Sequence, residues 1–108
     1  MRKINLEGYE VEVLDPATNE KKKLTYEVRK SICELLFIPQ LKLNGPALIK
    51  QMDLSKKIEE APENYVLMEE EEYRNVEKAF VLFEGFGARE VELVKRILNA
   101  EKVEVAPK

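Results

Sequence analysis

The fold is decided by the stretch from Asp53 to Leu98. In order it reads DLSKKIEEAP (53–62), ENYVLM (63–68), EEEEYRNVEKAFVLFEGFG (69–87) and AREVELVKRIL (88–98). The four glutamates place negative charge in the first turn of a helix, where the helix dipole favours it. After them, apolar residues recur at helical spacing and predict a stripe that faces a core, namely Tyr73, Val76, Phe80 and Phe83. Gly85 and Gly87 permit this helix to stop and the chain to turn.

A second amphipathic helix is predicted from Ala88 to Asn99. Its inward stripe is expected to be Val91, Val94, Ile97 and Leu98. Leu93 lies off this stripe and is expected to point outward. Phe86, between the two glycines, has two alternatives: it closes the junction of the last two helices, or it stands exposed as a contact for a partner.

The N-terminal part of the chain predicts a β-hairpin. Residues 3–14 alternate between apolar and polar, with a change of phase at Gly8 that indicates a bulge or bend in one strand. Residues 15–20 carry turn-forming Asp, Pro and Asn. Lys21 to Tyr26 then returns as a second strand, with Leu24 and Tyr26 facing inward.

The middle of the chain predicts two further helices and a short strand. Thr25 caps a helix from Tyr26 to Phe37, whose inward stripe is Val28, Ile32, Leu35 and Leu36. A short extended connection carrying Leu41 and Leu43 leads to a helix that begins at Pro46. In that helix, which is either one kinked helix or two short ones, the residues expected to face inward are Leu48, Ile49 and Met52.

The remaining segments complete an α+β fold. Residues Asn64 to Met68 predict a brief third strand, or an extended tether, that pairs with the hairpin. Val103 with Val105 predicts a terminal strand before a frayed end. The expected architecture is one domain over residues 1–108, in which the N-terminal hairpin and the short third strand pack against about four amphipathic helices. A hydrophobic content of 44% is sufficient for such a core.

Composition restricts the class of protein. The 36% of charged residues include 19 Glu but only 2 Asp, which fits either a heat-adapted protein or a high helix content. The net charge of −3 argues against bulk attraction to nucleic acid or anionic lipid. A single cysteine fits a reducing compartment, and no apolar segment resembles a signal peptide or a membrane span. We therefore expect a soluble cytoplasmic protein.

No residue pattern predicts catalysis. The chain has no histidine, which is the commonest general base and metal ligand. Cys33 lies beside the apolar stripe of its helix and is expected to be a buried small residue. Residues 69–72 of a helix point about 100° apart and do not converge on one cation. The sequence therefore predicts a non-enzymatic protein with no cofactor and no metal.

Two surfaces are candidates for binding. Apolar residues that one compact core does not need are Leu41, Leu43, Phe86 and Leu93, and they predict contact with a protein partner or self-association into a homo-oligomer. The alternative is a nucleic-acid-associated regulator whose phosphate contacts cluster at the basic end of the hairpin, at Arg2, Lys3, Lys21, Lys22 and Lys23.

The order of elements from Leu54 to Phe80 resembles small accessory proteins of tailed bacteriophages and prophages. The shared pattern is a helix ending KKIEEA, an extended YVLM segment and an EEEEY helix start, preceded by a charged β-hairpin. It covers about a third of the chain. The resemblance implies a role in assembly or partner binding and assigns no site residues.

Overall fold

The computed structural model describes residues 1–103. The strands are β1 (Arg2–Asn5), β2 (Tyr9–Leu14), β3 (Lys21–Tyr26), β4 (Tyr65–Met68) and β5 (Glu101–Lys102). The helices are α1 (Val28–Leu35), α2 (Gly45–Glu60), α3 (Glu70–Leu82) and α4 (Val91–Leu98), with 3-10 turns at Pro39–Leu41 and Ala88–Glu90. The α+β class with an N-terminal hairpin, predicted from the sequence, is confirmed.

The strands form two separate sheets. In the first, β1 lies between β4 and β5 and is antiparallel to both, with Ile4 opposite Val66. In the second, β2 pairs with β3 alone. The prediction of one bent strand over residues 3–14 is therefore wrong, because the chain changes sheet between Asn5 and Tyr9. The third strand, β4, pairs with β1 and not with β2 or β3.

The hairpin itself is confirmed. Its register runs from Tyr9 opposite Tyr26 to Leu14 opposite Lys21. The turn is closed by the N–H of Asp15, which donates to the carbonyl of Glu20 at 2.8 Å. The prediction that Leu24 faces inward is wrong, since its side chain is 52% exposed.

Helix α1 begins two residues later than predicted, because Tyr26 still belongs to β3. Glu27, and not Thr25, is its N-cap residue. The predicted inward stripe is confirmed as buried, at Val28, Ile32, Leu35 and Leu36, and Cys33 is buried beside it.

Helix α2 is one continuous helix whose N-cap, Asn44, accepts the N–H of Ala47 at 2.9 Å. Its buried face consists of Gln51, Leu54, Ser55 and Ile58. The prediction for Leu48, Ile49 and Met52 is wrong, because all three are exposed. The polar side chains of Gln51 and Ser55 lie on the buried face instead. Because the exposed face carries more apolar residues near the start of the helix, the hydrophobic pattern predicted the wrong face.

The stripe of α3 is confirmed, with Tyr73, Val76 and Phe80 buried. A reciprocal capping box joins Glu69 and Glu72 at its start. The stripe of α4 is different from the prediction, since Leu93 and Ile97 are fully buried while Val91 and Leu98 are exposed. A helix with five apolar residues among eight admits two stripes, and packing of α4 against α3 and β1 selects the one that contains Leu93.

The C-terminal strand is confirmed where the structure describes it. β5 pairs with β1, and the N–H of Val103 donates to the carbonyl of Met1 at 2.7 Å. Val105 and the predicted frayed end lie outside the described residues.

Candidate functional site

The four residues predicted to contact a partner do not form an exposed surface. Leu93 is fully buried and Leu41 is buried, while Leu43 and Phe86 are half-buried against the core. The Phe86 ring stacks on Phe80 with centroids 5.7 Å apart and meets Phe83 edge-on at 4.7 Å. Phe86 therefore closes the helix junction, and the prediction that Leu93 faces outward is wrong.

The predicted phosphate contacts are divided between the two sheets. Arg2 and Lys3 lie on β1, where the Arg2 guanidinium bonds Glu70 and the carbonyl of Ala100, both at 2.9 Å. Lys21, Lys22 and Lys23 lie on β3. Among these lysines, Lys22 pairs with Asp15 at 2.8 Å. The two groups are thus held by different neighbours and do not form one cluster at the hairpin.

Residues Tyr9–Tyr26, here called the hairpin arm, are anchored to the body at one end. The rings of Tyr9 and Tyr26 stack with centroids 5.0 Å apart. The Tyr9 hydroxyl donates to the carbonyl of Arg89 at 2.6 Å, and the Arg96 guanidinium lies 5.1 Å from the centre of the Tyr9 ring. Beyond these anchors β2 and β3 pack mainly against each other.

The molecule is elongated, with principal extents of 55 × 33 × 22 Å. Its radius of gyration is 15.3 Å, against about 13 Å for a compact domain of this length. Along the arm, Val11 and Val13 are half-buried, and Leu14 and Leu24 are 58% and 52% exposed. Apolar side chains are therefore only partly covered at the far end of the arm.

Both edges of the arm are open. Within residues 1–103, neither β2 nor β3 pairs with any strand except the other. Their charges are opposite: β2 carries Glu10 and Glu12, and β3 carries the three lysines Lys21–Lys23. Across the ladder, Glu12 lies opposite Lys23 and Val11 opposite Leu24.

Two features of the sequence indicate this arm. The change of phase at Gly8 marks the place where the chain leaves the first sheet. A Cβ atom there would lie 2.8 Å from Cγ2 of Thr25 and 3.1 Å from the carbonyl oxygen of Tyr26, so the two chain segments approach closely only because residue 8 is glycine. The sequence also shows that β2 is acidic and β3 is basic. Strands of opposite charge have edges that attract each other.

A cavity of about 930 Å³ lies between the base of the arm, α1 and α2. Its charged lining is of mixed sign and includes Arg29, Lys56 and Glu59. Arg29 is already engaged, since its guanidinium donates to the carbonyls of Ile58, Glu59, Ala61 and Glu63 at 2.6–3.2 Å. Its role is to fasten α1 to the end of α2.

Cys33 also borders this cavity. Its thiol donates to the carbonyl of Ser55 at 3.6 Å, and burial raises its pKa. A raised pKa keeps the thiol protonated at neutral pH, which is the state of a packed side chain and not of a nucleophile.

Comparisons with protein-family models, with curated proteins and with solved structures find no match to this chain. Among residues 1–103, no helix combines the length and the apolar character that crossing a membrane requires. Over the same part of the chain, no three Cys, Asp or Glu side chains come together in a way that could hold a metal ion.

Proposed function

We propose that this chain is a non-enzymatic assembly protein that self-associates through the hairpin arm. The observation that carries the proposal is a two-stranded sheet that packs mainly on itself and has two open edges among residues 1–103. An isolated two-stranded hairpin is marginally stable in water, and three or more strands give independent stability. Addition of a strand from a second copy would therefore stabilise the arm as well as join the copies.

The charges on the arm favour one mode of pairing. A symmetric contact would place β2 against β2, with Glu10 and Glu12 facing glutamates, or β3 against β3, with lysines facing lysines. Like charges directly opposite each other destabilise a strand pair. Pairing β3 of one copy with β2 of the next places glutamates beside lysines, so we propose this head-to-tail contact.

The register of β2 on β3 within one chain gives a register for the contact between copies. If β2 of the next copy pairs with β3 as β2 does within the chain, Glu12 lies opposite Lys23 and Val11 lies opposite Leu24. The exposed Leu24 then has Val11 of its own chain on one side and Val11 of the next copy on the other. Lysines on an open edge discourage pairing with basic or apolar strands, and this restricts the partner to an acidic strand such as β2.

A head-to-tail contact in an open chain of copies leaves one unpaired edge at each end of the assembly. Such a contact produces a ring if the rotation closes and an open chain if it does not. The resemblance to phage accessory proteins points to the same class of role, and a phage or prophage origin is part of the proposal.

The test uses two charge reversals of equal size and opposite sign. One variant is Glu10→Lys with Glu12→Lys, and the other is Lys21→Glu with Lys23→Glu. Each variant alone has two edges of like charge, so we expect its mass in solution to be that of one chain. An equimolar mixture restores glutamate beside lysine at every contact between chains, although residues 12 and 23 remain alike in charge within each chain, and it should assemble again.

The matched control is Lys56→Glu with Lys95→Glu, which changes the net charge as much as the second variant does but lies on α2 and α4. This control should assemble like the wild type. Circular dichroism checks that each variant keeps its fold. Assembly of either reversed variant alone, or a mixture that remains at the mass of one chain, would contradict head-to-tail pairing.

A further inference from the structure

A second pocket, of about 320 Å³, lies on a different part of the molecule from the arm. It is bounded by the segment that follows the first 3-10 turn, by the start of α2 and by α3. Its polar lining consists of Lys42, Asn44, Lys50, Gln51, Glu71, Asn75 and Lys78. Three exposed lysines from three parts of the chain therefore border one small space.

These lysines are not neutralised by the part of the chain that the structure describes. The ion pairs among residues 1–103 involve other cations, and Lys42, Lys50 and Lys78 are in none of them. One carboxylate, Glu71, lines the pocket, so the lining residues carry three positive charges and one negative charge. Lysine ammonium groups that lie near each other repel. An anion bound between them would attract each of them and offset this repulsion.

Two neighbouring features add to the positive potential. The N-terminus of the sixteen-residue helix α2 lies at the pocket and contributes the positive end of its dipole. Oδ1 of Asn44 accepts the N–H of Ala47 at 2.9 Å, which leaves the Nδ2 group of the same side chain as a donor.

We propose that this pocket binds the phosphoryl group of a small phosphorylated molecule. Lysine ammonium groups are common ligands of phosphate, and a net charge of about two positive units in the lining matches a phosphoryl dianion. The volume is near the lower end of the range for small-molecule sites. It therefore fits a phosphoryl group with a small organic part. This binding is independent of self-association through the arm.

The experiment measures binding of pyrophosphate, as the probe, by calorimetry and by its effect on the melting temperature. Sodium chloride holds the ionic strength constant. We expect a saturable rise in melting temperature for the wild type. Each of Lys42→Gln, Lys50→Gln and Lys78→Gln removes one charged donor and should weaken binding about tenfold. Glu71→Gln removes the opposing charge and should tighten binding.

The matched control is Lys56→Gln, an exposed lysine of α2 outside this pocket, and it should bind pyrophosphate like the wild type. An equal loss in Lys56→Gln would show general screening of charge and would overturn the proposal. So would the absence of a saturable response in the wild type, or weaker binding by Glu71→Gln. Binding of a short oligonucleotide that depends on the three lysines, with no binding of pyrophosphate, would also overturn it.

Discussion

Gln51 is a polar residue in the interior, with 4% of its surface exposed. Its Nε2 group donates to the carbonyl of Leu36 at 3.1 Å and so joins α2 to the end of α1. Gln51→Ala would leave that carbonyl without its partner and create a void, and we expect a loss of about 1–3 kcal/mol in the free energy of unfolding. Urea denaturation measures this loss. Gln40→Ala, at the exposed second glutamine, should change the value by less than about 0.5 kcal/mol.

Phe80 is the central aromatic residue of α3, and it is buried against Phe86. Phe80→Ala should lower the free energy of unfolding by about 3–5 kcal/mol, because the void left by a buried aromatic ring closes only in part. Glu71→Ala, on the exposed side of the same helix, should cost about 0.3–1 kcal/mol. Equal shifts of the two variants in denaturant melts would mean that the faces of α3 are assigned wrongly.

Between elements, Gly8 determines how closely the start of β2 approaches the end of β3. The added methyl group of Gly8→Ala would meet Thr25 and the backbone of Tyr26, and we expect destabilisation by about 1–3 kcal/mol. Thr25→Ser removes Cγ2 and should recover part of this loss in the double variant. Gly45→Ala is the matched control, because nothing lies within 4 Å of the added atom. Thermal melts in which the two alanine variants behave alike would contradict the close approach.

The buried face of an element could be predicted from the sequence where only one set of its residues forms an apolar stripe. The stripes of α1 and α3 are of this kind. In α2 the buried positions include Gln51 and Ser55, and in α4 two apolar stripes compete, so that tertiary packing decides the face. The same limit applies to the candidate site. Leu93 and Phe86 were predicted to be apolar residues that one core does not need, but Leu93 lies in the core and Phe86 packs against it. Leu24 was predicted to be buried and is exposed.

At the scale of the whole molecule, two ion pairs make stability depend on pH. The Lys22 ammonium beside Asp15 lowers the pKa of that carboxyl, and the Arg2 guanidinium lowers the pKa of Glu70. A carboxyl whose pKa is lower in the folded state stabilises the fold above the unfolded pKa, which is about 4, and this contribution is lost as the pH falls through the folded pKa. We therefore expect the free energy of unfolding to decrease below about pH 4.

The double variant Asp15→Asn with Glu70→Gln tests this dependence. Its stability in urea should fall less between pH 7 and pH 3 than that of the wild type. Asp53→Asn with Glu84→Gln is the matched control, because both residues are exposed and neither is in an ion pair among residues 1–103. If both double variants lose stability as steeply as the wild type, the two ion pairs are not responsible.

Self-association through the hairpin arm is tested most directly by the mass of the wild-type chain in solution as a function of concentration. Light scattering coupled to size-exclusion chromatography gives this mass for comparison with the 12.6 kDa of one chain. Head-to-tail pairing predicts a mass that exceeds two chains at high concentration, either rising continuously for an open chain or reaching a plateau for a closed ring. A mass of one chain at every concentration would contradict self-association, and a plateau at two chains would contradict the head-to-tail contact.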